Sequence, residues 1–313
     1  MYRLFTHCFE CSFPLPELAA CGCGKPVFEV RTRDLEGFDP SGFELAFEWR
    51  DEHDRQVCRC ERRDGEYLFV FPHHAAFHIA KGSIITCMQD ADGTEVMMRH
   101  LLLNQVIPRY LASRGHFLLH ASALTLQSGR SVAIIGRSGH GKSTLAAAFH
   151  GRGASIISDD CIQISLANGQ IQAHGGLHGV RLLPDMKQAL FTQDSPFARY
   201  SPWSEKQQLL LHDETNGPSD QHCQLDALYL LNDPHIEPAE HVELRELPAT
   251  QAVVALMHCA FNLDPGDAAA REANLAHASD VINTGLPVLE LSFPRQLERL
   301  PELLTVIEQQ MES

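Results

Sequence analysis

A chain of 313 residues that is 44% hydrophobic and 21% charged has a globular composition, with enough apolar material for a large core. Its 40 acidic against 25 basic residues, a formal charge of −15, exclude a broad nucleic-acid or anionic-membrane surface. No apolar run approaches the roughly 20 residues of a membrane span. The opening MYRLFTHCFECSFPLPEL puts acidic and proline residues where a signal peptide has its apolar core, so a cytoplasmic protein is expected.

In chain order, residues 1–97 read as a β-rich module. Strands are expected at Tyr2–Phe13, Phe43–Trp49, Tyr67–Phe71, Ala76–Ala80 and Ser83–Met88, separated by turn residues such as Asp39-Pro40-Ser41-Gly42 and Asp92-Gly93. Val96–Ser113 has apolar residues at helical spacing, with a kink expected at Pro108. Phe117–Leu126 reads as strand, and a further strand from Arg130 follows a Ser128-Gly129 turn. Farther on, Ile162–Leu166 and Gln170–His174 form a hairpin around Asn168-Gly169. A flexible Gly175–Gly179 loop leads to a short helix over Asp185–Leu190, and Thr192–Asn216 is a polar stretch expected to be mobile. Leu225–Leu231 and Val288–Leu291 are buried strands; Leu247–Phe261, Asp264–Thr284 and Leu297–Glu312 are helices.

Ten cysteines include Cys8-x-x-Cys11, Cys21-x-Cys23 and Cys58-x-Cys60. The C-x-C spacing is tighter than that of common structural zinc sites, so reduced thiols on strands and loops are expected.

The chemistry concentrates in Ser131–Asp160, SVAIIGRSGHGKSTLAAAFHGRGASIISDD. An apolar, β-branched run, Val132–Ile135, enters Gly136-Arg137-Ser138-Gly139-His140-Gly141-Lys142-Ser143, a full G-x-x-x-x-G-K-[ST] pattern, and Thr144–Phe149 continues as helix. Glycines in this position let successive N–H groups converge on a phosphate at a helix N-terminus. Lys142 can reach the β- and γ-phosphates and Ser143 can ligate Mg²⁺. A second apolar run, Ala154–Ser158, ends in Asp159-Asp160, where a carboxylate can hold the metal or accept a proton. This is a nucleotide-phosphate site. His120, alone on a strand, reads first as a satisfied core residue.

The series Leu119-His120-Ala121-Ser122-Ala123, the P-loop and Ser158-Asp159-Asp160 resembles the catalytic domain of HPr kinase/phosphorylase, a bacterial protein-serine kinase whose P-loop is related to that of phosphoenolpyruvate carboxykinase. Over nearly its full length, including Tyr2-x-x-Phe5 to Leu15-Pro16-Glu17-Leu18 and Leu289-Glu290-Leu291-x-x-Pro294-Arg295 to Leu300-Pro301, the chain is similar to the divergent members found with ribosomal-peptide biosynthesis, the lasso-peptide precursor kinases among them. The resemblance implies an α/β fold: a mixed-sheet P-loop kinase domain over 98–313, preceded by a smaller β-rich domain over 1–97. It implies ATP and Mg²⁺ as cofactors, with phosphates held by Gly136–Thr144. Asp159 would be the general base, helped by His120; Lys142 would act on the phosphates, and Ser143 and Asp160 on the metal. Arg181, Lys206 and Arg271 are candidates for neutralising the γ-phosphate or an acidic substrate.

The implied acceptor is a serine hydroxyl of a precursor peptide or small protein, with homo-oligomers common in the family. The family's Leu-Glu-Ile-Arg-Gly acid has no counterpart in Gly175–Leu182, which turns the reading away from HPr itself and from phosphorylase activity. Two other readings stand beside this one: a P-loop kinase of a small metabolite, and a nucleotide-binding regulatory module without turnover.

Overall fold

In a computed structural model the described residues are 1–22, 24–50, 54–177, 179–191, 197–199, 207–209, 222–233 and 239–312. The protein is mixed α/β. Its contacts divide it into two compact units, Met1–Gly115 with Asn262–Glu272, and His116–Phe261 with Ala273–Ser313.

The division therefore falls later than the expected 97/98 boundary, for a packing reason. The helical stretch before residue 115 lays Tyr110 against Phe28, ring centroids 5.0 Å apart, and Arg109 over Trp49 at 4.4 Å. It belongs with the first sheet. The excursion at 262–272 joins the same unit, where Asp264, 3% exposed, accepts a 3.0 Å hydrogen bond from Arg62.

The first unit is built on an eight-stranded mixed sheet. Its strands run in the order Tyr2–Leu4, His7–Cys11, Phe28–Thr32, Ile84–Gln89, Ala75–Ile79, Glu66–Phe71, Gln56–Arg63, Glu44–Arg50. The expected Tyr2–Phe13 strand is a hairpin instead, turning at Phe5 with φ 53°. Phe28–Thr32 and Gln56–Arg63 have no counterpart in the sequence reading. On the latter, Cys58 and Cys60 are fully buried, so the C-x-C spacing is the two-residue period of a strand with one face inward. Burial pushes the Cys58 thiol up to about 12. Cys8 departs from the expectation of reduced thiols, since it is disulfide-bonded. The kink expected at Pro108 takes the form of a π turn, Leu102–Val106, between helices Glu95–Leu101 and Ile107–Ser113. Proline has no N–H for the carbonyl four residues back, and that residue, Asn104, lies in the π turn.

The second unit is centred on a six-stranded mixed sheet: Ser155–Ser158, Ala121–Thr125, Ser131–Ile135, Ala227–Leu231, Val288–Ser292, Glu243–Glu246. Its middle strands are apolar on both faces because both are covered. Ala133, Ile135, Leu228 and Val288 share a core with Leu256 of helix Ala249–Cys259 and with Ala278 and Val281. Val132, Ile134, Tyr229 and Leu291 share the opposite one with Phe149 of helix Lys142–Gly151 and Leu303, Leu304 and Ile307 of helix Leu300–Glu312. Each of the valine, leucine, isoleucine and phenylalanine side chains among these contributes about 1.5–3 kcal/mol by burial. A four-stranded antiparallel sheet, His222–Gln224, Gln170–Gly175, Ile162–Ala167, Phe117–Leu119, completes this core. Its central hairpin turns at Asn168 and Gly169, φ 53° and 77°, as that dipeptide predicts.

Part of the Thr192–Asn216 stretch is strand: Phe197–Arg199 and Gln207–Leu209 form a small antiparallel sheet with Val180–Leu182. The other positions of that stretch, Lys206 among them, lie outside the described residues. Among the described residues, no helix is long and apolar enough to cross a membrane.

Candidate functional site

Two neighbouring antiparallel chains change sheets at one level, and that exchange positions the site. Phe117–Leu119 pairs with Ile162–Ile164 in the four-stranded sheet, while Ala121–Thr125 pairs with Ser155–Ser158 in the six-stranded one. His120 falls at one crossing and Asp159-Asp160 at the other. Backbone released from one ladder before joining the next can aim side chains out of the sheet. The crossing is braced: Ser158 donates to the Cys161 carbonyl at 2.9 Å and accepts from the Gly176 N–H at 3.1 Å. Asp160 sits at φ 69°, a left-handed conformation that aspartate tolerates better than most residues.

The P-loop leaves the neighbouring strand at Gly136. Glycine is required at Gly141, which caps helix Lys142–Gly151 with φ 96° and where a Cβ would lie 3.4 Å from the Arg295 guanidinium. Arg137, Ser138 and Gly139 are exposed, and Lys142 is buried. The Lys142 ammonium donates to the carbonyls of Gly136 and Arg137 at 2.8 and 2.9 Å, folding the loop around itself.

Asp159, 6% exposed, accepts from the Ser122 hydroxyl at 2.5 Å and the Ser143 hydroxyl at 3.1 Å on one oxygen, and from the Arg181 N–H at 3.3 Å on the other. Asp160 is ion-paired with the Arg181 guanidinium. A cavity of about 130 Å³ is walled by the P-loop from Ser138 to Thr144, without His140, and by His120, Asp160, Arg181 and Met186. The two acids are placed differently from one another. Asp159 touches the P-loop serine, while Asp160 faces the cavity, paired with arginine. Ser122 was not foreseen as a site residue; its signal was a serine set between alanines, inside the strand Ala121–Thr125.

Of the candidate cations, Arg181 is in the site. Arg271 is exposed, bonds the Pro265 carbonyl at 3.4 Å, belongs to the first unit and lines neither cavity at the P-loop.

The residues fit Mg²⁺ and a triphosphate. One hydroxyl, Ser143, with the Asp160 carboxylate on the same cavity wall is the sparse oxygen set that Mg²⁺ accepts when phosphate oxygens and water fill its other positions. Gly136, Gly139 and Gly141 all have positive φ, 153°, 84° and 96°, as a phosphate cradle at a helix N-terminus requires.

His140, inside the P-loop, is 8% exposed. Burial lowers its pKa, chiefly, with Lys142 and Arg295 adding to the shift against the pull of the Leu231 backbone and Asp233. The unfolded chain therefore takes up this proton first. Stability from this group is complete above pH 6.5 and falls as pH drops below it. Denaturant titrations from pH 7 to about pH 5 should show that fall, and His140→Asn should flatten it. His116, lowered by its own burial and by His277, supplies the remainder. An unchanged pH profile in His140→Asn would show that His140 does not carry it.

Comparison with known proteins adds little. No protein-family profile and no curated protein matches this chain. Among solved structures, the HPr(Ser) kinase/phosphatase from Coxiella burnetii aligns with a TM-score of 0.33 and 14% identity, over 62% of this chain and 92% of that one.

Proposed function

We propose that this chain is a phosphotransferase that moves the terminal phosphoryl group of Mg-ATP to a hydroxyl, the acceptor being a serine of a precursor peptide or small protein. The observation that carries the reading is the Ser143–Asp159 hydrogen bond, which couples a P-loop to a carboxylate within one site that His120, Asp160 and Arg181 complete. The precursor-peptide acceptor, with its C-terminal serine as the expected site, rests on the near-full-length resemblance, from Tyr2–Leu18 to Leu289–Pro301, to the precursor kinases.

When bound, the nucleotide supplies the phosphoryl group and Mg²⁺ neutralises its charge. The chain's own residues do the rest. P-loop N–H groups and Lys142 bind the phosphates, and Ser143 turns its oxygen toward the metal. Asp159 loses that serine hydroxyl as a partner and can accept the acceptor's proton as its oxygen bonds to phosphorus and the bond to the ADP oxygen breaks. Asp160 would hold the metal or its water shell, and Arg181, now its ion-pair partner, would meet charge on the transferring group. A carboxylate is basic enough, because in-line phosphoryl transfer depends on orientation more than on base strength.

Intact mass spectrometry with Mg-ATP and a panel of serine-bearing precursor peptides and small proteins tests this. A gain of about 80 Da on one peptide, absent with Lys142→Ala, is the expected result. ATP binding without transfer to any peptide or protein would move the acceptor to a small metabolite or leave a regulatory module. Absence of nucleotide binding would end the reading.

A further inference from the structure

A second cavity, of about 370 Å³, also borders the P-loop and shares Gly139, Gly141, Thr144 and Met186 with the cavity already described. It is within the size range of small-ligand sites, about 300–1,000 Å³. Its remaining wall comes from His140 of the P-loop, Leu145 of the P-loop helix and the segment that follows the last central strand: Phe293, Pro294, Leu297 and Leu300, with Arg295 and Gln296. We propose that this cavity takes the aromatic base of the nucleotide whose phosphates the P-loop holds; the assignment rests on the nucleotide reading above.

Three observations carry it. First, the four shared residues make the two cavities neighbours on the P-loop, so one ligand with an anionic end and a flat apolar end has both within reach of the same loop. Second, the chemistry differs between them. The 130 Å³ cavity carries Lys142, Ser143, Asp160 and Arg181 beside Leu182 and Leu183, whereas the larger one is lined mostly by apolar surface, Leu145, Phe293, Pro294, Leu297 and Leu300, which suits a heterocycle and gives a phosphate few partners.

Third, the wall is built in place. Arg295 donates to the His140 carbonyl at 2.7 Å and to the carbonyl and side-chain oxygen of Asn232 at 2.7 and 2.9 Å. Its guanidinium lies over the Phe293 ring at 3.8 Å. One side chain thereby ties the P-loop, the end of strand Ala227–Leu231 and the C-terminal segment together. A planar cation fixed on a ring is itself a surface on which a π-system stacks.

Leu297 is the lining residue to change, because at 36% exposure its side chain is not needed by the core. Calorimetric titration with Mg-ATP and with Mg-tripolyphosphate, which engages only the phosphate half, separates the two cavities. Leu297→Trp, which fills the cavity, and Leu297→Asp, which places an anion on its wall, are each expected to weaken ATP about tenfold or more and leave tripolyphosphate unchanged. Retained tripolyphosphate binding also shows that the P-loop is folded in the variant. ATP affinity unchanged in both variants, or ATP and tripolyphosphate falling together, would overturn the base site while the phosphate reading stands. An unsubstituted protein that binds neither ligand would overturn both.

Discussion

Asp159→Asn is expected to lower turnover about 10²–10⁴-fold, the usual worth of a positioned general base, with ATP affinity little changed. The substitution is a clean probe because of how the carboxylate is held. One oxygen takes both serine hydroxyls, and an asparagine carbonyl can take them in the same place. The amide would meet the Arg181 N–H, but that contact is already long at 3.3 Å, so the structural penalty is about 1 kcal/mol or less. What is removed is the ability to accept a proton.

Asp160→Asn is the paired experiment. It leaves Arg181 without its carboxylate partner and should raise the Mg²⁺ concentration needed for half-maximal activity more than it lowers the saturated rate. Kinetics at several Mg²⁺ concentrations decide between them. If Asp159→Asn instead moves the Mg²⁺ requirement and Asp160→Asn abolishes turnover, the two roles are exchanged, an outcome that the position of Asp160 on the cavity wall makes worth measuring.

The contrast between these two acids shows which features a sequence carries. The P-loop pattern, the acid pair and the Asn168-Gly169 turn were legible because each is specified by adjacent residues: a φ that glycine and asparagine adopt most readily, or a strand that ends where a polar pair begins. Their spatial arrangement was not. Ser122 meets Asp159 through strand pairing across 37 positions, and Arg295 reaches the His140 carbonyl across 155. No periodicity encodes such contacts.

Gln56–Arg63 was missed as a strand because its inward residues are cysteines rather than the β-branched or aromatic residues that mark strands, so the C-x-C pair was read as reduced thiols with no strand assigned to it. The boundary after residue 97 was misplaced for a related reason. A helix of apolar periodicity declares that it packs on something, and only Tyr110 on Phe28 says which sheet. Arg271, an exposed cation on a predicted helix, carried no signal separating a site residue from a solvated one, and it lies in the first unit.

The largest expected effect on stability comes from Phe149→Ala. Phe149 is fully buried near the end of the P-loop helix, in the core that also holds Leu303, Leu304 and Ile307 of the C-terminal helix and Val132 and Ile134 of the P-loop strand. Removing the ring leaves a cavity that two helices and a central sheet cannot readily collapse around, and Phe→Ala changes of this kind cost about 3–5 kcal/mol. Urea unfolding followed by circular dichroism should show a lower midpoint at unchanged slope, since the surface exposed on unfolding is nearly the same. A saturating nucleotide should restore part of the loss by binding only the folded form. Turnover per folded molecule should stay near that of the unsubstituted protein, because the ring supports the helix from the side opposite the loop. A loss under about 1 kcal/mol would mean that the helix does not depend on this core. A folded variant with turnover as low as Asp159→Asn would mean that the P-loop geometry is set by the packing beneath it, and not by the glycine conformations and Lys142 hydrogen bonds within the loop.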